Sequence, residues 1–418
     1  MDKSLHFLDL FAGAGGLSEG FIRAGFTPVA HVESNRAACF TLRTRAAYHW
    51  LKKESKLDIY DSYLRGTISR EQLYKEVPFE IIDSVINEEI KSESLDDIFI
   101  QVDNSIKQKR IDIIIGGPPC QAYSLVGRSR SKNKMIGDQR NYLFTYYANF
   151  LERYQPSYFV FENVIGLLSA KDESGKLYFD IMRKLFLSAG YQTEYKILST
   201  NEYGIPQARK RVILVGKKGN ELGFYPEPDK SSINLTVNDI FSDLPEILSG
   251  HGELIQRKHK KPHSFLVENQ LCDSNNYITW HTARPHTQQD LEIYRIAVKK
   301  WNDGHQRIDY NSLPARLKTH RQRESFLDRF KVVAGDLNYS HTIVAHIAKD
   351  GHYYIHPDLN QNRSLTPREA ARLQTFPDSY YFESVSGKPS RTAAYLQIGN
   401  AVPLLLAEKL AHKIKTSW

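Results

Sequence analysis

Cys120 closes a run of β-branched residues in IDIIIGGPPCQAYS, where two glycines and two prolines stop the run and deliver one thiol. A thiolate presented in this way can add to an electrophilic carbon and later leave. Two carboxylates stand at comparable points. Glu33 follows TPVAHV, and Glu162 follows YFVF. The first is placed to accept hydrogen bonds from paired hydroxyls, the second to give or take a proton. A single free cysteine is more often a small buried hydrophobe, so the chemistry depends on what positions these groups.

The isoleucines at 111, 113, 114 and 115 read as a strand buried on both faces, and Gly116 to Pro119 force a turn at its C-terminal end. Further strands are expected over 5–10, 28–32, 158–161 and 211–215, with helices over 143–153 and 176–189. This alternation predicts an α/β fold, a Rossmann-like parallel sheet with helices on both faces. The first strand runs into LFAGAGGLSEGF, which puts Gly13, Gly15 and Gly16 in the turn before a helix. A dinucleotide cradle would want a third glycine where Ser18 stands, so a bound pyrophosphate is disfavoured. Glu33 falls twenty residues after Gly13, where an acid can hold both ribose hydroxyls. A nucleoside without a pyrophosphate fits, as in S-adenosylmethionine. Gly13, Glu33, Cys120 and Glu162 would then all project from one edge of one sheet.

The chain has 418 residues, 41% of them hydrophobic and 25% charged, enough for a large core and two domains. Three cysteines, at 39, 120 and 272, are too few and too scattered for a disulfide framework or a zinc site, so no metal is expected. MDKSLHFLDLF has no charged-then-apolar leader and no apolar run reaches the length of a membrane span, which predicts a cytoplasmic protein. The net charge of +8 favours a polyanionic partner. Residues 51–100 hold seven Lys/Arg against twelve Asp/Glu, which suggests a solvated, mostly helical insertion. Residues 251–330 hold fourteen against nine, with seven histidines, as expected of a surface that meets phosphates. A third basic cluster, Arg128 to Arg140, follows Cys120 in a stretch rich in Gly, Ser and Asn. From about 217 to 362 the pattern is irregular. Order resumes where Thr366, Pro367 and Glu369 form a capping box with proline at the first helical position.

Taken together, DLFAGAGG, Glu33, GGPPCQAYS, FENV, QARKR at 207–211, RSLTPREAARLQTFPD at 363–378 and QIGNAVP at 397–403 closely resemble the ordered motifs of the DNA (cytosine-5)-methyltransferases of prokaryotic restriction-modification systems. The resemblance implies that Cys120 is the nucleophile and Glu162 its acid partner. It places Phe11, Gly13, Gly15, Gly16, Glu33, Pro118, Leu143, Asn400 and Ala401 around S-adenosylmethionine. Asp97 matches the aspartate that binds the adenine amino group, in competition with Asp96 and Asp103. Arg209 and Arg211 alternate at the start of a strand, which can put one guanidinium toward the site; the resemblance places Arg211 near the cytosine carbonyl oxygen, Arg209 is a further catalytic candidate, and the alternative is a phosphate-binding or solvated pair. Gln121, Ser124 and Arg128 become candidates for touching opened DNA. The catalytic domain would span 1–216 and be completed by 390–418, with a target-recognition domain over 217–389. The partners implied are double-stranded DNA and a cognate restriction endonuclease, for a protein acting as a monomer.

The residue types suit that chemistry. Cytosine C5 is too weak a nucleophile to take a methyl group from a sulfonium until a thiolate has added at C6. The electrons pushed into the ring call for a carboxyl at N3, raised in pKa by burial. Access to both faces of the ring requires a flipped base. Two other functions compete. A tRNA-directed relative would carry a Cys-Phe-Thr motif where this chain has only Cys272 in QLCDSN, and a silent DNA-binding or S-adenosylmethionine-binding regulator would lack Cys120 or Glu162.

Overall fold

A computed structural model describes residues 4–107, 109–119, 142–257, 260–272, 277–320, 324 and 327–418. Seven of its strands form one sheet in the order β3-β2-β1-β4-β5-β8-β6. They are β1 (His6–Leu10), β2 (Thr27–Val32), β3 (Val85–Ile86), β4 (Ile113–Gly116), β5 (Tyr158–Asn163), β6 (Tyr191–Ser199) and β8 (Lys210–Lys218), while β7 (Gln207–Ala208) pairs with Ser340–His341 outside the sheet. β1 to β5 run parallel, and β8 is antiparallel to both its neighbours. The expected parallel α/β sheet is therefore present. β6 was hidden in the sequence because it is an edge strand whose middle residues face solvent, so YQTEYKILS shows no apolar run.

The unbroken isoleucine run of β4 has a simple cause. Ile113 and Ile115 enter one core and Ile114 the other. The Ile114 face is covered by the helices Leu95–Ile106, Leu143–Tyr154 and Tyr178–Ser188. The opposite face is covered by α1 (Gly16–Arg23), α2 (Arg36–Lys53) and the last helix, Leu404–Thr416. That second core also takes in Val237, Leu266, Ile278 and Trp280, together with most apolar residues from Leu365 to Phe382. Much of segment 217–389 thus shares the catalytic core. A separate cluster gathers Ile293 to Leu317, Phe330, Val332 and Ile355 around the helix Gln288–Gly304, an order that the irregular sequence pattern did not announce.

The acidic stretch is helical as expected, over Leu57–Leu64, Arg70–Lys75 and Phe79–Asp83. It is less solvated than its charge suggested. Tyr60, Leu64 and Leu73 are buried, the Tyr60 hydroxyl donates to the Ser379 carbonyl at 2.8 Å, and Arg70 Nη1 donates to the Ser384 carbonyl at 2.7 Å.

The capping box at Thr366 and Glu369 is formed, with Pro367 at the first helical position. Three fully buried arginines, Arg363 just before this helix and Arg368 and Arg372 on it, tie the chain together. Arg363 forks onto both oxygens of Glu369 at 2.8 and 2.7 Å. Arg368 donates to Thr279, Pro377 and Tyr380 carbonyls, and Arg372 joins Asp243 to Asp378. Such pairs are costly to desolvate and costlier to break, by about 3–5 kcal/mol when one partner is removed. Burial pushes His281 down to about 4 and His356 down to about 3. Arg363 and His356 hold the Glu369 carboxyl far below its ordinary range despite burial.

Both histidines are therefore neutral when folded and take up protons when unfolded, so stability is complete above their ordinary value of 6.5 and falls as pH drops toward 4. Urea unfolding should show a loss of at least ~2 kcal/mol between pH 7.5 and pH 5 at unchanged m value. Equal or greater stability at pH 5 would contradict this burial.

Candidate active site at the sheet edge

The strand order reverses between β1 and β4, and the C-terminal ends of β1, β2, β4 and β5 meet at that point, where open α/β sheets bind ligands. From β1 the chain enters the turn at Phe11 and Gly13 with φ of 57° and 55°. The Gly13 N–H donates to Glu33 Oε2 at 2.7 Å, and the Asn35 N–H donates to Oε1 at 2.6 Å. Oε1 also receives the Ser34 hydroxyl at 3.4 Å, and Oε2 keeps a second lone pair for a hydroxyl donor. Open space lies on the side of Gly13 where a Cβ would stand. A nucleoside ribose fits this donor and acceptor set.

Gly16 has the opposite reason to lack a side chain. A Cβ there would strike the Val402 carbonyl oxygen and press on Ala401. QIGNAVP is thereby fastened to the glycine turn, with Asn400 exposed at the end of the helix Arg391–Asn400. Gly15 is backed by Tyr380, whose hydroxyl donates to the Ala14 carbonyl at 2.5 Å. No sequence motif singled out Tyr380.

At the other end of the site, Glu162 is held by Arg211, with Nε 2.6 Å from Oε1. Its Oε2 would lie 2.7 Å from a Cβ on Gly117, so the carboxylate rests over the GGPP turn. Asn163 fixes the same turn by donating to the Pro118 carbonyl at 3.2 Å. Leu143 opens the helix after the next segment and is half-buried. Cys120, Gln121, Ser124 and Arg128 lie outside the described residues. The described part of the turn that leads to Cys120 runs to Pro119, two residues after the Gly117 that Glu162 overlies.

Two expectations change. Arg209 does not join Arg211 at Glu162. Its guanidinium is buried and donates to the carbonyls of Ile343 at 2.6 Å and Gly399 at 3.3 Å, because alternate residues of an extended chain point to opposite sides. It fastens the middle of the chain to QIGNAVP. Asp97 is exposed in the first turn of the helix Leu95–Ile106. The residue at the end of β3 is Asn87, which donates to the Glu33 and Ser34 carbonyls, each at 3.1 Å. A two-residue strand gives no periodic signal, so Asn87 passed unnoticed.

The model of C-5 cytosine-specific DNA methylases matches residues 5–69 and 84–416. The chain belongs to the C-5 cytosine-specific DNA methylase family. The unmatched 70–83 coincide with the two short helices of the acidic stretch. Among curated proteins, this methylase is 41% identical to the type II methyltransferase M.Bpa9945I of Bacillus paralicheniformis, over 98% of either chain. It is 30% identical to the type II methyltransferase M.DdeI of Desulfomicrobium norvegicum, over 99% of this chain and 89% of the other. Its fold matches an E. coli prophage protein described as a DNA modification methyltransferase, with a TM-score of 0.62 at 23% identity and 99% of both chains covered. The Entamoeba histolytica methyltransferase EhMeth matches with a TM-score of 0.53 at 15% identity, over 99% of this chain and 98% of that one.

The two arginines should separate in experiment. Arg209→Met leaves buried carbonyls unmet and should lower unfolding free energy by about 1–3 kcal/mol. Arg211→Met should stay within ~1 kcal/mol of the parent in urea while losing DNA methylation. The reverse pattern would return Arg209 to the site.

Proposed function

We propose that this methylase transfers a methyl group from S-adenosylmethionine to C5 of a cytosine flipped out of a specific double-stranded DNA sequence, and that it protects host DNA from a cognate restriction endonuclease. The observation that carries the reading is the Glu162 carboxylate resting over Gly117, three residues before Cys120, on the edge where Glu33 binds the glycine turn. The restriction-modification setting is supported by the relatives named as type II methyltransferases.

The Cys120 thiolate adds to C6 of the flipped base, and the displaced ring electrons run to N3, where Glu162 supplies a proton or a strong hydrogen bond. Arg211 holds one oxygen of Glu162 through Nε and donates from Nη1 to the Lys210 carbonyl at 2.9 Å, so Nη2 is the group offered to the cytosine carbonyl oxygen. S-adenosylmethionine supplies the methyl group on a sulfonium. C5, now nucleophilic, takes the methyl as the S–CH3 bond breaks and leaves neutral S-adenosylhomocysteine. Loss of the C5 proton to solvent water then restores the double bond and expels the thiolate. Glu33 and Gly13 would hold the ribose, Phe11, Pro118 and Leu143 would line the adenine side, and Asn400 and Ala401 would meet the methionine end. At the end of β3, Asn87 offers an amide oxygen for the adenine amino group, the role expected of Asp97.

The base must leave the duplex for this chemistry, and the basic stretch 126–140 is charged to meet the opened DNA. Segment 217–389 supplies target recognition. Plasmid DNA methylated by the protein and read by bisulfite sequencing should show one recurrent sequence context. Cys120→Ser should abolish the signal while S-adenosylmethionine affinity stays within about twofold, whereas Glu33→Ala should weaken that affinity by roughly 1–3 kcal/mol. Methylation by Cys120→Ser would overturn the mechanism, and unchanged affinity in Glu33→Ala would overturn the cofactor site.

A further inference from the structure

Gln397 lies one turn before Asn400 and Ala401 on the helix Arg391–Asn400, and no step above uses it. Its amide closes a ring of three hydrogen bonds. The Thr41 hydroxyl donates to Gln397 Oε1 at 2.6 Å, Gln397 Nε2 donates to the Glu383 carbonyl at 2.8 Å, and the Glu383 N–H donates back to Thr41 Oγ1 at 2.8 Å. The Ala37 carbonyl lies farther from the hydroxyl, at 3.3 Å. All three residues are buried, where hydrogen bonds are strong and costly to leave unmade. The direction of the ring is fixed, because a turned Gln397 amide would set its oxygen against the Glu383 carbonyl.

The ring joins the two ends of the sheet-edge site. Thr41 stands on α2, and the residue that caps this helix, Asn35, donates its N–H to Glu33 Oε1. Six residues of helix, a rise of about 9 Å, separate the group that holds the ribose acid from the one that holds Gln397. The Gln397 carbonyl in turn accepts the Ala401 N–H at 3.2 Å. Glu383 is a firm third member, since its carboxylate takes hydrogen bonds from Thr44 at 2.7 Å and from the Tyr63 hydroxyl, with Arg70 Nη1 at 3.4 Å. The acidic stretch therefore bears on the ring through Tyr63 and Arg70. Gln374 and Arg209 grip the same turn at the Ile398 and Gly399 carbonyls, so opening the ring shifts the turn without releasing it.

On the cofactor placement given above, we propose that Gln397 is a positioning residue for the methionine end of S-adenosylmethionine. Held by Thr41 and Glu383, it sets Asn400 and Ala401 at a fixed distance from Glu33.

Two ligands isolate this role. S-adenosylhomocysteine spans the whole site, whereas 5′-methylthioadenosine keeps the adenine and ribose and lacks the amino-acid end. Thr41→Val removes the hydroxyl at nearly constant shape, and calorimetric titration of the full-length protein should find S-adenosylhomocysteine weakened about tenfold, with 5′-methylthioadenosine within about twofold of the parent. Thr41→Ser keeps the hydroxyl and should bind both ligands as the parent does. If Thr41→Val does not fold, Gln397→Met should show the same selective loss. Equal weakening of both ligands, as for a merely structural ring, would overturn the proposal, and so would undiminished S-adenosylhomocysteine affinity in the variants. A parent protein that bound neither ligand would remove the cofactor placement, and the proposal with it.

Discussion

The first helix of the chain lies directly against the last, and the site exists because nothing intervenes. Gly16 meets the backbone of Val402, and four residues on Gly20 meets Ala407 and the backbone of Glu408. A side chain at either would push Leu404–Thr416 away from α1 and carry QIGNAVP off the glycine turn. Arg209 reinforces the same closure from the middle of the sequence by reaching Gly399. Three distant segments are thus held on one sheet edge by two missing side chains and one buried guanidinium.

The buried arginines on and just before the Thr366 helix extend that logic to the region beyond β8. Each donates to groups from at least two segments, and replacing any of them leaves unmet carbonyls or an unpaired carboxylate in a dry interior. This explains why the supposed second domain shares so much of the catalytic core. What remains distinct is the cluster around the helix Gln288–Gly304.

Much of this was legible in the sequence, for physical reasons. Strands buried on both faces declare themselves as apolar runs, and a parallel sheet puts their C-terminal ends together, so Gly13, Glu33, the Cys120 turn and Glu162 could be assigned to one edge before any coordinates. The capping box announced its helix by local hydrogen bonding alone. Partners set by tertiary contact were not legible. Arg209 and Arg211 look alike in QARKR and diverge because one faces the core and the other faces Glu162. Asn87 follows a strand too short to show a period, β6 is half-exposed, and Tyr380 acts on the glycine turn across more than 360 residues.

The most direct test of the account concerns the bond it requires. Duplex DNA carrying 5-fluorocytosine in place of the target cytosine blocks loss of the C5 substituent and should strand the enzyme on the base. After incubation with S-adenosylmethionine, mass spectrometry of the digested complex should find the adduct on the peptide containing Cys120, with the methyl group transferred. A stable complex linked through another residue, or none under conditions where unmodified DNA is methylated, would contradict covalent activation by Cys120.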